Sequence, residues 1–181
     1  MILHKSEVAS PIGRLMLVAK GDALVAVAFE DYEREARRWL GRRFGELQMW
    51  DHPDPAGAAS ALRAYFEGDL TALEQVQVDT GGTPFQRTVW LELRRIPVGA
   101  TISYAELAAR VGRPPAVRAV GTANGSNPVP VILPCHRVIA ADGTLCGYGG
   151  GLDRKRWLLA HEKAPARRDA RPQHASQIPL L

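Results

Sequence analysis

Residues Gly81-Gly82-Thr83-Pro84 divide this 181-residue chain into two halves of different periodicity, and that break limits the possible folds more than any other feature. Paired glycines admit backbone angles closed to other residues, Thr83 can cap a helix, and Pro84 suits a first helical turn. Before the break, the apolar runs Ile2 to Val8, Arg14 to Ala19 and Ala23 to Phe29 are separated by Pro11-Ile12-Gly13 and Gly21-Asp22. This is the punctuation of an antiparallel meander. Asp31 to Phe44 places Ala36, Trp39, Leu40 and Phe44 at helical spacing, with Arg37, Arg38, Arg42 and Arg43 elsewhere on the surface. Asp51 to Pro55 reads as a loop, Ala58 to Phe66 as a helix and Val76 to Asp79 as an edge strand.

After the break the pattern turns helical. Phe85, Val89, Trp90 and Leu93 mark the inner face of a helix that ends before Pro97-Val98-Gly99. Ser103-Tyr104-Ala105-Glu106 is a capping box, opening a helix to Val111. Gly112-Arg113-Pro114 then turns the chain into a second helix, Pro115 to about Ala123, which makes a helix-turn-helix. That helix is built from Ala116, Val117, Ala119, Val120, Gly121, Thr122 and Ala123, and Arg118 is its one long side chain. It offers few of the polar groups that read base edges in a major groove. Two readings stay open: the small face presses into a minor groove with one side chain entering the base stack, or it packs on another helix and Arg118 makes a surface ion pair. Asn127-Pro128 closes the helix, and Val129 to Pro134 reads as extended and buried. Gly147, Gly149, Gly150 and Gly151 surround Tyr148 in a loop, Asp153 to Lys163 forms the last helix, and the composition from Ala164 onward predicts a disordered tail.

The reactive chemistry concentrates in Pro134-Cys135-His136-Arg137-Val138. A free thiol titrates near pH 8.5, and cationic neighbours can lower that value until the nucleophilic thiolate is populated. Cys135, His136 and Glu162 have the parts of an activated thiol, with imidazole as proton acceptor and carboxylate as its support. On an extended strand Cys135 and His136 would face opposite ways, so a bend or a water must link them. The bland alternative is a buried small hydrophobe. His161-Glu162 starts an HExxH pattern but Pro165 stands where the second histidine would be. Cys146, the other cysteine, has no basic sequence neighbour and reads as structural.

Charge is distributed unevenly: nine Lys/Arg face thirteen Asp/Glu before residue 81, and eleven face five from 81 to 163. A basic second half suits a polyanion, or is simply a solvated face. The N-terminus lacks the apolar core of a signal peptide and no apolar run is long enough to span a bilayer, so a cytoplasmic protein is expected.

Taken together, Thr83 to Gln86, Val89-Trp90, Ile96-Pro97, Ser103-Tyr104, Arg118 to Gly121, Asn127-Pro128, Pro134 to Val138, Gly147 to Gly150, Lys155, Leu158-Leu159 and Glu162 resemble the O6-alkylguanine-DNA alkyltransferases. The resemblance covers roughly residues 81–163, and the first 80 residues match only loosely. It implies an α/β (α+β) protein. An N-terminal ribonuclease-H-like domain over 1–80 would carry the small antiparallel sheet and helices. A mostly helical alkyltransferase domain over 81–163 would carry the helix-turn-helix and a buried active-site cysteine, with a tail over 164–181. The implied activity is transfer of an alkyl group from O6 of guanine, and less efficiently from O4 of thymine, to Cys135. It would occur once per molecule, without cofactor, in double-stranded DNA from which the base has been flipped.

Residue by residue, the resemblance makes Arg118 the finger that fills the vacated stack, with Val117, Ala119 and Gly121 along the minor groove. Tyr104 presses on the rotated phosphate and faces ring N3, while His136 acts through water with Glu162 behind it. Asn127 holds the turn under the cysteine. The Gly149 amide meets O6, the carbonyls of Cys135 and Val138 accept from the exocyclic amine, and Pro130 and Tyr148 wall the pocket. A monomer is implied, able to bind DNA cooperatively. Two departures stand out. No cysteine precedes Cys135, so the zinc site of some members should be missing, and Gly149 stands where some members have serine. Rival readings are an alkylated-base binder, in which the cysteine would be replaced, a thiol-based regulator, which would need further domains, and a cysteine hydrolase, which would leave the helix-turn-helix unexplained.

Overall fold

The computed structural model describes residues 1–164 together with the backbone of Arg168–Asp169. The chain forms two compact units, Met1–Gly81 with Pro128–Ile132, and Gly82–Asn127 with the chain from Leu133 onward.

In the first unit β1 (Ile2–Val8), β2 (Leu15–Lys20) and β3 (Ala23–Phe29) form the expected antiparallel meander. Helix α1 (Glu33–Phe44) then carries the chain back, so β4 (Gln48–Asp51) joins β1 in parallel and the sheet order is β3-β2-β1-β4. The sequence reading missed β4 because this short edge strand has no fully buried residue: only Met49 packs partly on the core, and Trp50 is 59% exposed. Leu3, Met16, Val18, Val25, Ala26, Ala28 and Leu40 form a buried cluster, against which Ala36, Trp39 and Phe44 of α1 pack. Helix α2 spans Ala58–Glu67, close to expectation. Val76 to Asp79 is no edge strand but a single parallel bridge, Leu24 with Val78. Arg43 explains the shortfall: it donates to the Asp79 carbonyl at 2.7 Å and to the Asp79 carboxylate, so a side chain takes what a neighbouring strand would use.

The second unit opens with α3 (Pro84–Leu93). Thr83 Oγ1 accepts from the Gln86 amide at 3.2 Å, and Gln86 Oε1 accepts from the Thr83 amide at 2.9 Å. Gly82 has φ +75°, and a Cβ there would stand 2.5 Å from the Trp90 ring, so only glycine fits without displacing that side chain. Trp90 is fully buried, and its indole N–H donates to Ala123 at 2.7 Å, tying α3 to α5 (Val117–Gly125). Between them lie β5 (Ile102–Ser103) and α4 (Tyr104–Arg110), with the capping box formed as expected. Helix α5 starts two residues later than the expected Pro115, because consecutive prolines cannot donate and the residue before a proline disfavours helix.

The approach to Cys135 differs from expectation. Val129 and Val131 to Leu133 are buried, but the run is not extended: Val131 sits at φ +73°, a strained value for a β-branched residue. Pro130 and Pro134 lack the N–H groups a ladder would use. Cys135–Arg137 then forms a 3-10 turn, followed by β6 (Val138–Ile139), parallel to β5, and by β7 (Thr144–Leu145). Helix α6 spans Leu152–His161 and Glu162 caps it. Ala164 packs against Ile139, Leu145 and Leu159, and β8 (Arg168–Asp169) pairs with β7. The expected disordered tail otherwise lies outside the described residues. Among the described residues no helix is long and apolar enough to cross a membrane.

Candidate active site

The second unit holds Cys135 at the head of its 3-10 turn, only 4% exposed. Its amide donates to the Leu133 carbonyl at 2.8 Å, and Asn127 Nδ2 donates to that same carbonyl at 2.8 Å, so Asn127 braces the turn. Burial pushes the thiol above its ordinary value; an Asn127 hydrogen bond and the charge of Lys155 pull it back only in part. This departs from the expectation that adjacent cations depress it. The Arg137 guanidinium is turned elsewhere, with Nε and Nη2 on Glu162 at 2.8 and 2.9 Å and Nη1 on the Ile96 carbonyl at 2.5 Å. At rest, Cys135 is a thiol.

His136 is fully buried, with Nε2 2.9 Å from Glu162 Oε1. Burial holds the imidazole below its ordinary value despite the pull of Glu162, so at neutral pH it is uncharged. A carboxylate can only accept, which puts the single imidazole proton on Nε2 and leaves Nδ1 a lone pair. Nδ1 is buried without a hydrogen-bond partner among the described residues. Consecutive residues in a 3-10 turn project roughly 120° apart, so the opposed faces expected of a strand do not arise. Burial would raise the Glu162 carboxyl, but hydrogen bonds from His136 and Arg137, together with the Arg137 charge, outweigh it and hold the group well below the carboxylate range.

Two residues that the sequence reading left without a role complete the surroundings. Lys155 is fully buried, donating to Val138 at 2.6 Å and to Cys146 at 2.9 Å, and burial brings its pKa down to about 8. Helical spacing could have revealed it, since Lys155, Leu159 and Glu162 stand at i, i+4 and i+7 on one face of α6 and its cap. Asn124 is the second, buried on α5 with Nδ2 3.4 Å from the Cys135 carbonyl. Cys146 is also closer to the chemistry than its sequence neighbours suggest, because its carbonyl meets both Lys155 and the Tyr104 hydroxyl.

Tyr104 begins α4, its hydroxyl 3.2 Å from the carbonyls of Cys146 and Gly147 and its ring centroid 5.9 Å from Lys155 Nζ. Burial, reinforced by the two cysteines, raises the phenol well above its ordinary value, so it remains a donor. On α5, Val117, Arg118 and Ala119 are exposed while Val120, Ala123 and Asn124 turn inward. A Cβ at Gly121 would lie 3.7 Å from the Tyr104 ring. Arg118 has no ion-pair partner among the described residues, which leaves the ion-pair reading unsupported. In the loop, Tyr148 and Gly149 are half-buried, and the Tyr148 carbonyl accepts from Gly151 at 2.9 Å. Positive φ falls on Gly147 and Gly151 rather than Gly149. The Val138 carbonyl, expected to meet a base, already accepts from Lys155. Pro130 is half-buried in the segment that belongs to the first unit.

A buried thiol beside a carboxylate-held neutral histidine, in the unit that also carries an exposed small-residue helix of a helix-turn-helix, defines a thiol-based transferase built on a DNA-binding scaffold. Two family profiles match the chain: 6-O-methylguanine DNA methyltransferase, ribonuclease-like domain, over residues 3–80, and 6-O-methylguanine DNA methyltransferase, DNA binding domain, over residues 84–164. The chain belongs to the methylated-DNA–protein-cysteine methyltransferase family. Relatives of that name include one from Shigella flexneri, 43% identical over 88% of this chain and 95% of the relative, and one from Mycobacterium bovis, 44% identical over 93% and 97%. Among solved structures, Mycobacterium tuberculosis O6-methylguanine methyltransferase matches at TM-score 0.74 with 43% identity, covering 91% of this chain and 96% of that one. Mycobacterium tuberculosis OGT in complex with DNA matches at TM-score 0.75 with 43% identity, covering 92% and 96%.

Proposed function

We propose that this protein repairs DNA by moving the alkyl group of O6-alkylguanine onto Cys135, once per molecule. The observation that carries the reading is the tautomer of His136, whose Nε2–H is committed to Glu162 and whose Nδ1 lone pair is buried and unpaired. A water between Cys135 and His136 passes the thiol proton to Nδ1, and the imidazolium formed is balanced by Glu162. The thiolate attacks the alkyl carbon in line, the C–O6 bond breaks, and its electron pair stays on guanine. Tyr104, still protonated, donates to N3 and spreads that charge. The product thioether is stable, so the protein is consumed. A monomer suffices, since all these residues come from one chain.

O6 lies on the paired edge of the base, so the nucleotide must first leave the stack, at a cost of a few kcal/mol. Arg118, exposed near the start of α5, fills the gap while Val117, Ala119 and Gly121 approach the minor groove. The wall of the pocket is assigned to Tyr148 and Gly149, and the Val138 carbonyl to the exocyclic amine of the base. O4-alkylthymine is a poorer substrate in this reading.

Incubation with a duplex carrying labelled O6-methylguanine, followed by peptide mass spectrometry, should place one label per chain on Cys135. Sustained turnover, or label on Cys146, would overturn the reading. For Arg118→Ala, transfer from free O6-benzylguanine should stay within about twofold, while transfer from duplex falls about tenfold to a hundredfold as unstacking loses its compensation. Equal losses on the two substrates would remove the finger role.

A further inference from the structure

Asn124 lies on the inner face of α5 and is 2% exposed. Its Nδ2 donates to the Cys135 carbonyl at 3.4 Å. A carbonyl can be faced only by the amide nitrogen, so this bond fixes which way the amide points. Oδ1 then sits one amide width from the backbone of the nucleophile, buried and with no hydrogen-bond partner among the described residues. An unpaired buried carbonyl costs free energy that a leucine of similar size would avoid. Like His136 Nδ1 it is a buried acceptor without a donor, but the proposed transfer makes no use of it.

The base brings donors to this place. Guanine carries two N–H groups on its exocyclic amine, and the family resemblance gives them to the carbonyls of Cys135 and Val138. A carbonyl oxygen has two lone pairs. The Cys135 carbonyl already accepts from the Val138 amide and from Asn124 Nδ2, so both of its lone pairs are engaged. The Val138 carbonyl accepts from Lys155 at 2.6 Å and has one lone pair left. One N–H of the amine is thereby left without an acceptor, and a donor buried unpaired carries a cost similar to that of the orphaned Oδ1. Each group supplies what the other lacks. We propose that Asn124 is a specificity-determining residue: its Oδ1 accepts one N–H of the exocyclic amine of O6-alkylguanine, the Val138 carbonyl takes the other, and the pocket selects bases that present a donor at this position. The inference rests on the alkyl-transfer reading above.

Single-stranded oligonucleotides carrying either O6-methylguanine or O6-methylhypoxanthine, the same base without the amine, test it with no base pair to break. With protein in excess, the rates of methyl transfer to Cys135 are read from the mass of its peptide, and the ratio of the two rates is the measurement. Any intrinsic difference between the leaving groups enters every variant equally and cancels on comparison. Asn124→Leu removes the acceptor, and it should lower the preference for O6-methylguanine about tenfold, the worth of one buried hydrogen bond. Loss of the bond to the Cys135 carbonyl slows both bases alike and does not move the ratio. Asn124→Asp keeps an acceptor oxygen in either protonation state, so the preference should stay within about twofold of the original or rise. An unchanged ratio in Asn124→Leu would overturn the proposal, since a purely structural role gives that result. A preference that collapses in Asn124→Asp would overturn it as well. Asn124→Met, which removes the acceptor with a more adaptable side chain, carries the same expectation as Asn124→Leu and serves if the leucine variant does not fold. If the unsubstituted protein takes no methyl group from O6-methylguanine, the alkyl-transfer reading fails and takes this inference with it. Transfer that proceeds at an unchanged ratio removes only the role of Asn124.

Discussion

Cys135→Ala should abolish alkyl transfer while leaving a folded protein. Sulfur is the acceptor atom in the proposed reaction, so its removal is not a partial loss of stabilisation but the loss of a reactant. The rest of the site does not depend on it: His136, Arg137 and Glu162 keep their mutual bonds, and the Cys135 backbone amide and carbonyl, bound to Leu133 and Asn124, are unchanged. Losing one small buried group should cost about 1–2 kcal/mol, the low end of core truncations. The variant should therefore unfold cooperatively, bind duplex containing O6-methylguanine, and yield no labelled peptide. Cys146 is the only other thiol in the chain, and label appearing there at the original rate would refute Cys135 as the acceptor.

Glu162→Gln should damage stability and chemistry together. Glu162 Oε1 accepts from His136 and Arg137, and Oε2 accepts from Arg137, all within 2.9 Å and with the carboxylate side chain fully buried. A glutamine offers one acceptor and one donor to those donors. Either orientation sets an N–H against an N–H and leaves Arg137 one bond to the amide oxygen and one to the Ile96 carbonyl, without the carboxylate charge. Removing one partner of a buried ion pair typically costs about 3–5 kcal/mol, and in a chain of this size each kcal/mol lowers the melting temperature by about 2–4 °C. Transfer should slow about a hundredfold, because the neutral histidine loses the bond that sets its tautomer.

The two groups also set the response to acid. The carboxyl of Glu162 is depressed in the folded protein, so its stabilisation is complete above the unfolded carboxylate value, about 4.3, and is lost as pH falls through its lower folded value. The deficit of Glu162→Gln should thus be fully expressed at pH 7 and shrink only in strong acid. The imidazole of His136 is also depressed, so the unfolded chain binds a proton that the folded one does not, and stability should begin to decline below about 6.5, the unfolded histidine value. Denaturant unfolding of both proteins across pH 3 to 8 checks the two windows. A deficit that disappears already at pH 6 would contradict the assignment of Glu162.

Much of the fold was legible because it depends on near neighbours in the chain. The meander followed from turn residues between apolar runs, and the starts of α3 and α4 followed from cap residues whose partners stand three positions away. Failures occurred where a distant side chain intervened. Arg43 claims the Asp79 backbone and reduces an expected strand to one bridge, and β4 depends on pairing with β1 rather than on an apolar face of its own. The bend at Val131 escaped a pattern that counts apolar residues, since burial and extension are separate properties.

From its sequence alone the chain declares a cysteine, a histidine and an arginine in succession, a later glutamate, and the helix-turn-helix that precedes them. Only the tertiary structure decides their states. Arg137 looked like an activator of Cys135 and instead pairs with Glu162; Lys155, apparently one more helical cation, is the buried charge that acts on the thiol. Adjacency along the chain sets which groups are available, but protonation follows from desolvation and from charges brought together across 25 or more residues, as with Arg137 and Glu162.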